Sequence, residues 1–451
     1  MSDRLDRAPW RPIHRRIAGA LGIGWGLDAF EVQIIGSVIP AIAASFALSR
    51  GQQIAVFVIW FIGLGLGAAL FGYLADRIGR RRLFIATLLL YSISALATAA
   101  APSYGLFMVF RFLTALGVGG EYSAVASAIS EFMPARGRGR TNALVMNFWS
   151  LGGVVAGLVG VLFVSTLLGS SGWRVALLFG ALSAVYGLYA RRLVPESPRW
   201  LASQGRLAEA NAVIEQVTGI SRDHAEYLPA ELNSSMRAQL GELWREHRGS
   251  LLLGMVLDFS EASAYYGLFT FVSVFVLRAG VVSVPAGTVP YFYVVANLGA
   301  LAGGLLVSWA LDRVGRRPTV FFGYAAAAGS SMLVAAAALS GSPGLTLGAF
   351  TVAVFFATTA WVSAYPTFTE LFPTHLRASG VGASVAVGRI GAIVGAVVLA
   401  QVASSFGLWS AFATLAGLWA IGAGAAGVWW LRGFEARGMS LEDITSHLAQ
   451  P

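Results

Sequence analysis

Gly72-Tyr73-Leu74-Ala75-Asp76-Arg77-Ile78-Gly79-Arg80-Arg81-Arg82 sets a basic hinge between two apolar runs, and its core returns later as Asp312-Arg313-Val314-Gly315-Arg316-Arg317. Two further patterns recur in the same order. Leu27-Asp28 with Glu31 is matched by Leu257-Asp258 with Glu261, while Glu131, Pro134 and Arg138 are matched by Glu370, Pro373 and Arg377. The offsets are 230 residues for the acidic pair, 236 for the hinge and 239 for the third pattern. Such a drift marks a duplicated chain that has kept its helices and varied its loops.

The surroundings of the hinge fix the fold class. Of 451 residues, 57% are apolar and 12% charged, against roughly 25% charged in soluble domains. A helix crossing a bilayer needs about 20 mainly apolar residues. Twelve such stretches are present, over 17–46, 53–74, 83–101, 104–130, 141–168, 173–190, 250–278, 288–311, 318–340, 344–369, 379–405 and 408–431. The long polar connector, 191–249, falls between the sixth and the seventh. The expectation is an all-α integral membrane protein with a six-helix half over 1–190, a cytoplasmic connector of short amphipathic helices over 191–249, and a second half with a cytoplasmic tail over 250–451. Parallel repeats of this kind place a transport site at their interface, near the bilayer midplane.

Composition removes several chemistries. All 31 basic side chains are arginine, so no Walker A lysine is available for ATP and no Schiff-base lysine for a carbonyl. The absence of cysteine removes disulfides, thiolate metal sites and thiol nucleophiles. Gly422 to Gly427 spells GxGxxG inside the last span, where no strand precedes it, and reads as close helix packing instead of a dinucleotide site. With no GxSxG, HExxH or metal-ligand cluster, neither an enzyme nor a cofactor is expected.

Arginine placement gives orientation. Twenty-six of the 31 lie in the tails or in the connectors on the same side as both termini, and only Arg50, Arg174 and Arg278 face the other way. The positive-inside rule then puts both termini and the connector in the cytoplasm of a plasma membrane. The clusters are short and not interleaved with aromatics, which argues against nucleic acid as a partner.

The hinge resembles the signature loop of the major facilitator superfamily, and Arg111 with Gly117, Gly119 and Gly120 resembles its fourth-helix motif. Pro195-Glu196-Ser197-Pro198-Arg199-Trp200-Leu201 is similar to the segment shared by sugar porters, organic cation and anion transporters, and nicotinate and synaptic-vesicle-protein-like transporters. The paired glutamines usual in the seventh helix of sugar porters are replaced by Asp258-Phe259-Ser260-Glu261-Ala262-Ser263-Ala264-Tyr265-Tyr266-Gly267. Gly119-Gly120-Glu121, Phe148-Trp149 and Gly388-Arg389-Ile390-Gly391 are closer to the nicotinate-transporter group, whose members move small organic acids. The resemblance implies a monomeric carrier for a small-molecule substrate and protons. A sugar or polyol carrier, or an exporter of drugs or organic cations, is the alternative.

Ionised groups in the membrane are costly enough to mark function. Asp28, Glu31, Arg111, Asp258 and Glu261 are the expected proton-coupling set. Residues three apart share a helix face, and two carboxylates close together in a dry site do not both stay ionised. Static pairing with Arg111 or Arg389 is the competing reading. Arg389, a guanidinium that cannot lose its charge, points to an anionic substrate, with Glu121, Asn147, Trp149, Tyr265 and Tyr266 as further binding candidates. On the cytoplasmic side, Asp76, Arg77, Arg80, Glu131, Arg138, Glu196, Asp312, Arg313, Arg316, Glu370 and Arg377 are expected to form a latch, its ion pairs made when that side closes and broken when it opens.

Overall fold

The computed structural model describes residues 9–78, 80–134, 138–181, 186, 189, 193–196, 198–203, 205–219, 236–278, 281–373, 376–433 and 435. Among these there are helices and turns and no strand. The first five spans are α1 (Pro12–Phe46), α2 (Arg50–Ile78), α3 (Arg80–Ala100), α4 (Tyr104–Phe132) and α5 (Arg138–Gly160), the last prolonged by π-helical turns over Val161–Leu167. The sixth begins with α6 (Trp173–Leu178), and the connector carries α7 (Pro198–Ser203), α8 (Leu207–Thr218) and α9 (Met236–Glu246). Spans seven to ten are α10 (Arg248–Phe271, π-helical on through Val272–Val276), α11 (Val289–Arg313), α12 (Arg316–Leu339) and α13 (Pro343–Glu370). The last two spans lie in α14 (Arg377–Arg432), which is broken at Gly407, where φ is 84° and ψ 175°. Together they form the twelve-helix arrangement of two pseudo-symmetric six-helix bundles.

Around the hinges the helices run past the apolar stretches because polar ends stay helical outside the hydrocarbon, α2 continuing through Asp76-Arg77-Ile78 and α3 starting at Arg80. Gly79 lies outside the described residues. In the second copy the turn is visible, with Gly315 at φ 107°, a left-handed conformation that glycine adopts without steric cost.

The duplication is visible in individual contacts. Ser103 caps α4 by accepting the Leu106 N–H at 3.4 Å, and Ser342, 239 residues later, caps α13 by accepting the Leu345 N–H at 3.4 Å. Each such cap is worth about 1 kcal/mol. α2 packs against α4 and α11 against α13 through glycine. A β-carbon at Gly63 would stand 2.7 Å from the Phe112 carbonyl oxygen, and one at Gly299 would stand 2.8 Å from that of Thr351. Larger residues at either place would force the helices apart.

Two seams join the halves: α5 runs along α11, and α2 along α14. Large apolar side chains such as Ile93, Leu158, Leu305 and Phe322 remain exposed on the outside, as expected of a surface whose solvent is lipid. The apolar outer face therefore leaves polar side chains to gather at the centre.

Candidate functional site

The first half supplies a sealed charge pair. Arg111 of α4 donates from Nη1 to Glu31 Oε2 at 3.1 Å and from Nη2 to the Glu31 carbonyl oxygen at 2.6 Å. Both side chains are within 2% of complete burial. The guanidinium also lies 3.7 Å from the Trp60 ring centroid, so a cation–π contact adds to the ion pair. The second carboxylate oxygen of Glu31 occupies the place of a β-carbon on Gly180, at the start of the sixth span, so any larger residue there would displace the carboxylate. Asp28, one turn away on the same face, is equally buried.

The second half holds Asp258 and Glu261 on α10 and Arg389 on α14, all three buried. Arg389 acts electrostatically on both acids. Its Nη1 donates to the Tyr266 hydroxyl at 3.5 Å, a long contact. Asp258 packs against Gly388, and among the described residues neither of its carboxylate oxygens has a hydrogen-bond partner.

Aromatic rings link the two clusters. Trp25 of α1 lies 5.3 Å from Trp149 of α5, Trp149 lies 6.2 Å from Trp361 of α13, and Trp361 lies 6.3 Å from Tyr265 of α10. Tyr265 meets Tyr266 at 5.5 Å, and Tyr266 meets Phe61 of α2 at 4.7 Å. Phe61, Tyr265 and Tyr266 border a cavity of about 30 Å³ whose lining also includes Gln33, Trp60, Arg111 and Tyr293. That is room for a water and not for an organic ligand.

The expected binding residues separate on this geometry. Tyr265 and Tyr266 line the cavity, Trp149 is tied to it through its carbonyl, which accepts from the lining residue Gln33, and Arg389 reaches it through Tyr266. Asn147 is a seam residue, its Nδ2 donating to the Leu301 carbonyl of α11 at 3.1 Å. Tyr291, a further aromatic of α11, is exposed on the outside. The side chains of Asp76, Arg77, Arg80, Glu121, Glu131, Arg138, Asp312, Glu370 and Arg377 lie outside the described residues.

On the face that carries the hinges, Arg313 stacks on Trp309 at 5.2 Å and Glu196 is half-buried. The buried Arg316 side chain donates to the Leu311 carbonyl at 3.0 Å. The backbone N–H groups of Arg316 and Arg317 donate to Glu435 Oε1 and Oε2 at 3.0 and 3.2 Å, and Arg317 Nη1 donates to the Gly433 carbonyl. Glu435 thus caps α12 after the last span, a role for which charge and motif gave no sign. The repeat did carry a signal: Glu196 and Glu435 are separated by the same 239 residues as Glu131 and Glu370. Two buried amides near the cavity, Gln33 and Asn297, had no comparable marker.

With this geometry in view, comparison with known proteins places the chain. Residues 29–448 match the family described as "Sugar (and other) transporter", and the chain belongs to it. It is 31% identical over 410 residues to the niacin transporter NiaP of Acinetobacter baylyi, covering 88% of this chain and 89% of the relative. It is 30% identical over 396 residues to the putative niacin/nicotinamide transporter NiaP of Bacillus subtilis, covering 87% and 90%. Among solved structures, it is similar in fold to the major facilitator superfamily proton:xylose symporter XylE of E. coli bound to 6-bromo-6-deoxy-D-glucose. There the TM-score is 0.79 at 19% identity, over 96% of this chain and 99% of that one. The molecule is a multi-pass membrane transporter of small organic substrates and not an enzyme.

Proposed function

We propose that the chain carries a small organic anion, of the class of aromatic or heterocyclic carboxylates such as nicotinate, by alternating access coupled to proton symport. The observation that carries this reading is Arg389, a permanent cation only 5% exposed that sits beside Tyr266 of the cavity lining. A guanidinium grips a carboxylate through two parallel hydrogen bonds, and flat rings around it suit a flat ligand. The niacin transporters among the relatives support the same class.

Proton coupling falls to the carboxyls. Asp28 and Glu31 on one side, and Asp258 and Glu261 on the other, are buried groups whose charge changes with a single proton, in a chain with no lysine for a Walker A loop. In this scheme Arg111 holds Glu31 until a proton or the substrate redistributes the pair. The halves 1–190 and 250–451 rock about the centre as a monomer, and the connector 191–249 with both termini lies in the cytoplasm beneath a bacterial inner membrane. The two hinges, with Glu196 and Glu435, latch that side when it is closed.

A sugar or polyol carrier is the second reading, favoured by the family's description and by the fold of the xylose symporter. Purified protein in liposomes separates the two, given an imposed pH gradient and a panel of carboxylates, sugars and organic cations. A gradient-driven carboxylate uptake that Arg389→Ala lowers by about tenfold or more is the expected result. Failure to move any carboxylate, with normal transport of another solute by Arg389→Ala, discards the anion reading.

A further inference from the structure

Gln33 of α1 and Asn297 of α11 lie on opposite sides of the seam between the halves. Gln33 lines the cavity, is 6% exposed, and donates from Nε2 to the Trp149 carbonyl at 3.1 Å. Asn297 is fully buried and donates from Nδ2 to the Tyr293 carbonyl at 2.9 Å. These bonds use the amide nitrogens and so fix which way each oxygen points. Both oxygens point to one place, because a β-carbon on Gly153 of α5 would collide with Gln33 Oε1 and Asn297 Oδ1 alike.

Among the described residues neither oxygen has a hydrogen-bond partner. Two acceptors side by side cannot satisfy one another, and leaving both dry in a buried site is unfavourable. What the place lacks is a donor. Glycine at 153 leaves room for both oxygens, and Gln33 lines the cavity.

We infer that Gln33 and Asn297 form a donor-seeking subsite that reads an N–H or O–H group on the transported molecule. The proposed anion class is thereby narrowed to small carboxylates that carry such a donor, which sets aside nicotinate itself because its ring nitrogen and carboxylate are only acceptors at neutral pH, and only the carboxylate part of this statement rests on that proposal. A donor held here touches both halves at once, so recognition and the α5–α11 seam are read by one contact.

The test is uptake into proteoliposomes of matched ligands: an aromatic carboxylate with a ring hydroxyl, the same carboxylate without it, and a neutral polyol. Wild type should favour the hydroxylated carboxylate by about tenfold or more in kcat/KM, since a site built to bond a donor rejects the analogue lacking one. In Gln33→Met and in Asn297→Leu that ratio should fall toward one, through loss on the hydroxylated ligand with the other unchanged. Equal handling of the two carboxylates by wild type overturns the inference, as it would if a resident water satisfied both oxygens. So does an equal loss of both ligands in both variants, which would make the amides mere seam packing. If instead the polyol moves with the same dependence on Gln33 and no carboxylate does, the subsite stands and the anion reading fails.

Discussion

Asp28 and Glu31 on α1 hold the same place in the first half that Asp258 and Glu261 on α10 hold in the second, yet each acidic pair meets an arginine from a different helix. Arg111 comes from α4 and Arg389 from α14. At the repeat offset of 239 residues, the counterpart of Arg111 is Phe350 and that of Arg389 is Ser150, both buried and uncharged. The duplication kept the acids, and the cations were placed separately. In the first cluster the guanidinium is engaged by a carboxylate, a carbonyl and an indole face. In the second the guanidinium donates at 3.5 Å to the hydroxyl of Tyr266, itself a cavity residue, and acts electrostatically on Asp258 and Glu261. A cation held on one acid by an ion pair suits coupling, and one set beside a ring that lines the cavity suits recognition, which is how the proposal divides Arg111 and Arg389.

The largest effects should come from breaking the tight cluster. Arg111→Ala strands Glu31, and removing one partner of a buried pair costs roughly 3–5 kcal/mol. A large fall in Tm in detergent is expected, with a smaller one for Glu31→Gln, which still offers Arg111 an acceptor. If Arg389→Ala lowers Tm as much as Arg111→Ala does, the two clusters are equivalent and the contrast between them is lost.

Arg389→Ala should instead act on transport. The loss of a charge-assisted contact worth about 1.5–3 kcal/mol corresponds to roughly 10- to 150-fold in kcat/KM for the carboxylate. Arg389→Lys should recover only part of it, because an ammonium cannot make two parallel bonds to one carboxylate. Full recovery by lysine would reduce the role of Arg389 to charge alone.

Smaller again is the effect expected at the Glu435 cap. Glu435→Ala removes the acceptor for two N–H groups at the start of α12, a loss of about 1 kcal/mol. In liposomes turnover should fall more than affinity, and Asp76→Asn at the first hinge should show the same split. A change in affinity alone would move either residue from the latch to the binding site.

The same contrast between the halves bears on how far the sequence could be read. The spans, the duplication and the two intramembrane arginines followed from apolar run length and from the cost of charge in hydrocarbon. Which acid Arg111 would take did not follow, since Asp28 and Glu31 share one face and only the approach of α4 and of Gly180 selects Glu31. Glu435 was within reach of the repeat offset but stood outside every motif. Gln33 and Asn297 were beyond reach, because neutral amides in apolar runs carry no charge signature and nothing local brings α1 and α11 together at Gly153.

The smallest effect belongs to a pair that looks the strongest. Arg206 and Glu209, at the start of the connector helix α8, approach to 2.6 Å, closer than the 3.1 Å of Arg111 and Glu31. The difference is the medium, since Arg206 and Glu209 are about half exposed and water screens their attraction. The bond from Arg206 holds the Glu209 carboxyl below its usual range. Its folded value is the lower one, so any stability it gives is present above the ordinary carboxylate pKa of about 4.3 and is lost as pH falls through the depressed value. At neutral pH, Glu209→Gln should shift Tm far less than Glu31→Gln, and molar salt should erase that shift while leaving the Glu31→Gln shift in place. If salt weakens both alike, water reaches Arg111, and the sealed pair on which the contrast between the halves depends does not exist.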